Sequence, residues 1–274
     1  MSFVENWKRT VEERGSVLCA GLDPAPFEMG RGQKGLPEGA DRREWALRYL
    51  EAVAPFCSAL KPNAQYWKGP GDVEVLEEVC EAAHDLGLVV IEDAKLADIG
   101  ATNDAGFFYA ARRVDAVTAA PFAGNLAEAT GQAHHRGVGI IVLCLMSNPE
   151  YANEKLNRRV QASEEPQYER ITRETVQAGA DAVVVGAPSA GNHITTAELE
   201  TVRRHIGGEL AVLMPGVGAQ GGDAAGVFGV FDPDQVIVNA SRALMFPEGS
   251  ASTPAAQAQA ARRLRDRLNE ERLK

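Results

Sequence analysis

The stretch Ile91-Glu92-Asp93-Ala94-Lys95-Leu96-Ala97-Asp98 places charge at the end of an apolar run. Asp93 and Lys95 are two residues apart, so in extended chain they point to the same side. Asp98 lies three residues further on, beyond the expected strand, and need not share their direction. Burying three such charges costs on the order of several kcal/mol unless they pair. Either they form an ion-paired rim that only caps the strand, or they form a site that uses a fixed ammonium beside a carboxylate. Lys61, in Ala59-Leu60-Lys61-Pro62-Asn63, ends an earlier apolar run. Alone it reads as a solvated rim lysine. On a neighbouring strand its ammonium would reach Asp93 and complete an alternating Lys–Asp–Lys array. The run before that also ends in an acid, Gly21-Leu22-Asp23-Pro24.

A second kind of chemistry lies nearer the carboxyl end. Met214-Pro215-Gly216-Val217-Gly218-Ala219-Gln220-Gly221-Gly222 follows one apolar run, and Asn239-Ala240-Ser241-Arg242 follows the next. Glycines let backbone N–H groups approach an anion, and a helix start adds partial positive charge. Arg242 suits a bidentate phosphate contact. The plainer alternative is two glycine-rich turns and a surface arginine.

Eight short apolar runs must position these residues: 17–22, 57–60, 88–91, 116–119, 140–145, 182–185, 211–214 and 236–238. Amphipathic stretches lie between them at 42–54, 73–86, 101–113, 125–136, 166–178 and 196–206. A last one spans 254–270, and an extra one at 3–14 precedes the first run. The glycine-rich segment after Met214 supports only a short helix. Continuous apolar strands alternating with helices indicate a parallel sheet covered on both faces. Eight units in 274 residues favour one α/β domain, a closed (β/α)8 TIM barrel with an extra N-terminal helix, over residues 1–274. The long segments 23–41 and 146–165 both follow strands, on what is the catalytic face of such barrels.

The net charge of −10 argues against a nucleic-acid binder, which carries basic stripes. It leaves an anionic small substrate open, because local lysines and arginines dominate a cleft. The amino terminus lacks an apolar core of signal length, and no run reaches the roughly 20 apolar residues of a membrane span. A cytoplasmic location is expected. Cys19, Cys57, Cys80 and Cys144 form no C-x-x-C pair and read as buried free thiols. The five histidines contain no His-Glu-x-x-His pattern, and adjacent His134 and His135 read as a solvated helix end, so no metal site is expected.

The pattern Asp93-x-Lys95-x-x-Asp98-Ile99-Gly100-x-Thr102 resembles the signature of the orotidine 5′-monophosphate decarboxylase family. Lys61 with Asn63, the Pro-Gly-Val-Gly-x-Gln loop and Arg242 extend the likeness, in order, over most of the chain. The length and long loops look like the longer bacterial and archaeal branch. Asp-x-Lys-x-x-Asp alone is shared with sugar-phosphate enzymes of the same superfamily, and the combination with Lys61 and Gln220 is more specific. The resemblance implies a cofactor-free carboxy-lyase that acts on orotidine 5′-monophosphate as a homodimer with shared active sites. It implies that Lys95 protonates C6 of the pyrimidine while Asp93 and Lys61 hold its ammonium. Asp98 and Thr102 would come from the partner subunit. Asp23 and Lys61 would bind the ribose hydroxyls, Ser147 would hydrogen-bond the pyrimidine edge, and Asn63 would be a further substrate-binding residue. Gln220 and Arg242 would hold the phosphate, with Pro215 and Gly216 among the substrate-binding residues.

Three other readings compete. Gly216-Val217-Gly218-Ala219-Gln220-Gly221 also fits the dinucleotide pattern G-x-G-x-x-G, although the helix after it would be short. A barrel that binds phosphate-sugars without turnover is the second. A magnesium-dependent 3-keto-sugar-phosphate decarboxylase is the third, and metal dependence separates it.

Overall fold

The computed structural model describes residues 1–157, 165–216, 222 and 224–272. Eight strands close in sequence order: β1 (Leu18–Leu22), β2 (Ala59–Pro62), β3 (Val89–Leu96), β4 (Ala116–Ala119), β5 (Gly139–Leu145), β6 (Ala182–Val185), β7 (Ala211–Pro215) and β8 (Val236–Ala240). Every neighbouring pair is parallel, and β8 pairs back onto β1. The closed sheet matches the (β/α)8 expectation and removes the open sheet that a dinucleotide-binding unit would need. The main departure is β3. It runs on to Leu96 rather than stopping at residue 91, so Asp93 and Lys95 both lie on the strand.

The helices are α1 (Phe3–Arg14), α2 (Arg42–Val53), α3 (Asp72–Asp85), α4 (Gly100–Ala110), α5 (Leu126–His135), α6 (Tyr151–Glu154), α7 (Gln167–Gln177), α8 (Thr196–Ile206), α9 (Ala224–Phe228), α10 (Arg242–Met245) and α11 (Pro254–Arg272). α9 is the short helix that the glycine-rich segment allows. α1 opens on a capping box, Ser2 with Glu5, which satisfies two otherwise orphaned N–H groups. Its Phe3 packs against the start of β5, where a Cβ on Gly139 would lie 2.6 Å from Phe3 Cβ. Only glycine admits that approach.

Alternation along each strand decides what faces the barrel axis. Following the register round the barrel, alternate strands contribute to each inner layer. Lys61, Thr118, Val184 and Asn239 come from β2, β4, β6 and β8 and share one layer. Gly21, Asp93, Leu143 and Pro215, from the odd strands, form the layer above it. The lower layers are apolar, as the buried Ile91, Ile141 and Leu213 show. Polarity therefore begins only where the strands reach the carboxyl-terminal mouth.

Candidate active site

β3 delivers two opposite environments from one charged run. Glu92 points outward and pairs with Arg113 at 2.9 and 3.0 Å. Asp93 points inward. Its Oδ2 lies 2.7 Å from Lys61 Nζ and its Oδ1 lies 2.5 Å from Lys95 Nζ. The Lys–Asp–Lys array expected from the spacing is present. Lys61 is buried, whereas the Lys95 side chain keeps 40% of its surface open to the mouth.

Electrostatics within the array follow from pairing. Burial pushes the Asp93 carboxyl up, but the charges and hydrogen bonds of Lys61 and Lys95 outweigh it and hold its pKa at about 2. Burial pulls Lys61 down, yet Asp93, Asp23 and the hydrogen bond to Asp93 carry it above the ordinary lysine value. Charged forms prevail because each has an opposite charge in contact.

Thr118 on β4 completes the array, and sequence reasoning missed it. Its hydroxyl donates to Asp93 Oδ1 at 3.0 Å and accepts from the Lys95 backbone N–H at 2.9 Å. The available signal was a lone polar residue inside the apolar strand Ala116–Ala119. Asn103, also missed, donates to the Asp98 carbonyl and accepts from the Asp98 N–H, fixing the turn after β3.

The other expected residues fall into separate groups. Asp23 follows β1, and its Oδ1 is buried without a hydrogen-bond partner among the described residues. Asn63 bridges to Asp93 in register, but its side-chain oxygen accepts from Gln65 N–H at 3.1 Å. Ser147 follows β5, across the barrel from β1, and packs where a Cβ on Gly186 would meet its own at 2.8 Å. Pro215 ends β7, and Gly216 takes a φ of 97°, open only to glycine without strain. Arg242 is exposed at the start of α10 and, among the described residues, its guanidinium has no partner. Gln220 lies outside the described residues, as does most of its loop.

Asp98 and Thr102 are not brought to Lys95 within the chain. Both are exposed, and the Asp98 carboxylate accepts from the Ile99 N–H at 2.8 Å. Around them Ile99, Phe108, Tyr109 and Phe122 are 61%, 46%, 57% and 71% exposed.

His134 does not end in solvent alone, since its Nε2 lies 2.8 Å from Asp181 Oδ2. Among the described residues Glu165, Glu169 and His205 lie close enough to hold an ion. Arg173 already grips both oxygens of Glu165, and His205 pairs with Glu169. All four cysteines are free and buried. No helix of the described residues is long and apolar enough to cross a membrane.

A paired ammonium at one side of a barrel mouth and a glycine-rich, arginine-bearing rim at the other suit a phosphorylated substrate that develops negative charge. Comparison with known proteins agrees. Residues 16–247 match the family described as Orotidine 5'-phosphate decarboxylase / HUMPS family. An orotidine 5'-phosphate decarboxylase of Halorubrum lacusprofundi is 36% identical, covering 99% of this chain and 100% of that protein. One from Halobacterium salinarum is 34% identical with the same coverage. The solved structure of Leishmania donovani OMP decarboxylase superposes with a TM-score of 0.77 at 26% identity, covering 100% of both chains.

Proposed function

This chain belongs to the orotidine 5′-phosphate decarboxylase / HUMPS family, and on that premise we propose how its residues carry out the reaction. It is a carboxy-lyase that converts orotidine 5′-monophosphate to uridine 5′-monophosphate and CO2 in pyrimidine biosynthesis. The bond from C6 to the carboxylate breaks, CO2 leaves, and the electron pair stays on C6. Lys95 gives its proton to that carbon and is reprotonated from water. Before the transfer its ammonium stabilises the growing negative charge, and a fixed cation in a dry site needs no reorganisation to do so. Asp93 and Lys61 hold the ammonium, and Thr118 holds both Asp93 and the Lys95 backbone.

One observation carries this assignment: the Asp93 carboxylate has an ammonium on each oxygen, at 2.7 and 2.5 Å. The full-length relatives named orotidine 5'-phosphate decarboxylase favour this reaction over the magnesium-dependent sugar-phosphate reading. The test is loss of orotate absorbance on adding orotidine 5′-monophosphate, with and without a chelator. Turnover unaffected by chelator is expected, and turnover abolished by it would reverse the choice.

Arg242, Pro215, Gly216 and Gln220 are assigned to the phosphate, Ser147 to the pyrimidine edge, and Asp23, Lys61 and Asn63 to the ribose. Arg242 and the Asp23 oxygen, both without a partner among the described residues, support their parts of this. A homodimer is assigned with Asp98 and Thr102 entering the partner's site. Their exposure beside the apolar Ile99, Phe108, Tyr109 and Phe122 supports a second copy covering this face. A cytoplasmic setting accords with four free thiols.

A further inference from the structure

Asn239 takes no part in the Lys61–Asp93–Lys95 cluster, yet it lies in the same inner layer as Lys61 and Thr118. It is 8% exposed, and its side-chain oxygen is buried with no hydrogen-bond partner among the described residues. Native folds rarely leave such an oxygen unpaired, and one that has no partner among the described residues calls for an explanation. The register states where a partner must come from. Asn239 pairs with Cys19 of β1 on one side and with Pro215 of β7 on the other, beneath the rim that bears Ser241 and Arg242. Beside it on β1, Gly21 has no side chain, and a Cβ there would collide with Ser241 Oγ at 1.8 Å. Four residues beyond Cys19, at the mouth end of β1, Asp23 Oδ1 is also buried and, among the described residues, unpaired. Two acceptors without donors among the described residues thus lie on β8 and just past the end of its neighbour β1.

The substrate has few protons to offer them. Its phosphate and carboxylate are ionised and only accept. Its donors are the two ribose hydroxyls and the pyrimidine N3–H. The pyrimidine edge is assigned to Ser147 after β5, across the barrel from β1. The sugar hydroxyls remain. We propose that Asn239 is a sugar-binding residue of this enzyme, its side-chain oxygen accepting a hydrogen bond from a ribose hydroxyl beside Asp23. The assignment rests on the substrate reading above, and it adds a contact from β8 to a sugar site otherwise built from β1 and β2.

The test compares Asn239→Leu with the wild type on three substrates: orotidine 5′-monophosphate and its 2′-deoxy and 3′-deoxy analogues. Removing a partner of a buried polar group is expected to lower kcat/KM for the parent nucleotide about 10- to 100-fold. On the analogue that lacks the bonded hydroxyl the loss should be under about threefold, because no bond is left to remove. Equal losses on all three substrates would overturn the assignment. A crystal structure of the wild type with uridine 5′-monophosphate tests it without any substitution. A ribose hydroxyl within about 3 Å of Asn239 Oδ1 is expected, and a water or a protein donor in that place would overturn it, even if the leucine variant failed to fold. Wild-type protein that left orotidine 5′-monophosphate unchanged would instead overturn the substrate reading itself, a separate and prior result.

Discussion

Lys95 and Asp93 stand two residues apart on β3, and the Lys95 ammonium lies 2.5 Å from Asp93 Oδ1 although Lys95 takes a left-handed φ of 54°. A residue with a side chain in that region costs about 1–3 kcal/mol and persists only where its surroundings enforce it. Two features enforce it here. The pairing of β3 with β4 shifts register between Glu92 and Leu96, and Thr118 Oγ1 holds the Lys95 N–H. The strain falls on the residue assigned to proton transfer.

Lys95→Ala is expected to abolish almost all turnover and to leave the barrel folded, as circular dichroism and melting would show. The loss should reach about a thousandfold or more, ~4 kcal/mol of barrier. A variant that kept more than roughly a tenth of the rate, only ~1.4 kcal/mol, would end the assignment of Lys95 as proton donor.

Thr118→Val keeps the shape of the side chain and removes its two hydrogen bonds. With each worth about 1 kcal/mol, kcat should fall about 10- to 100-fold. KM should change little, because Thr118 is proposed to act through Asp93 and Lys95 rather than on the substrate. An unaltered kcat would show that the strand geometry alone positions the array.

Asp98 and Lys95 are proposed to meet only across a dimer. Lys95→Ala and Asp98→Ala should each be inactive, and mixing them should restore activity, since a hybrid dimer contains one intact site. Absence of recovery, once subunit exchange is shown by mass, would place both residues in one subunit's site.

Arg242→Ala is expected to lower kcat/KM strongly for the nucleotide and hardly at all for the phosphate-free nucleoside. Binding energy from a non-reacting group is realised in the transition state only when that group is present. Added guanidinium should recover part of the loss. Equal losses on both substrates would show that Arg242 serves the fold or the pyrimidine.

His84 predicts a pH effect on stability at the other end of the barrel. The hydrogen bond to Asp115 at 3.0 Å raises its pKa, burial opposes this, and the charges of Asp115 and Asp85 add to the rise. A raised folded value means that the stabilisation is complete below the ordinary histidine value near 6.5 and is lost as pH climbs through the folded value. The difference in melting temperature between wild type and His84→Gln should therefore be larger at pH 5.5 than at pH 8.5. A larger difference at the alkaline pH would contradict the sign. Asp93, held near 2, runs the other way. Its contribution is present above the ordinary aspartate value near 3.9 and is lost as pH falls toward its folded value.

Much of this protein is legible in its residues taken in order. Strand and helix periods depend on neighbouring side chains, so eight alternating units, the extra helix α1 and the short helix α9 could be read directly. The face shared by Asp93 and Lys95 follows from spacing in the same way, and Lys61 needs only the further step that β2 neighbours β3. Thr118 and Asn239 could not be found like that. Each is one polar residue in an apolar strand, and only closure of the barrel sets which strands share a layer. The positive φ of Lys95 comes from a register shift against β4, a long-range pairing that no local pattern records. Glu92 and Asp93 show the same division in one pair of residues. Their adjacency sends them to opposite faces by strand geometry alone, but what waits on each face, Arg113 outside and two lysines inside, was decided when distant segments packed.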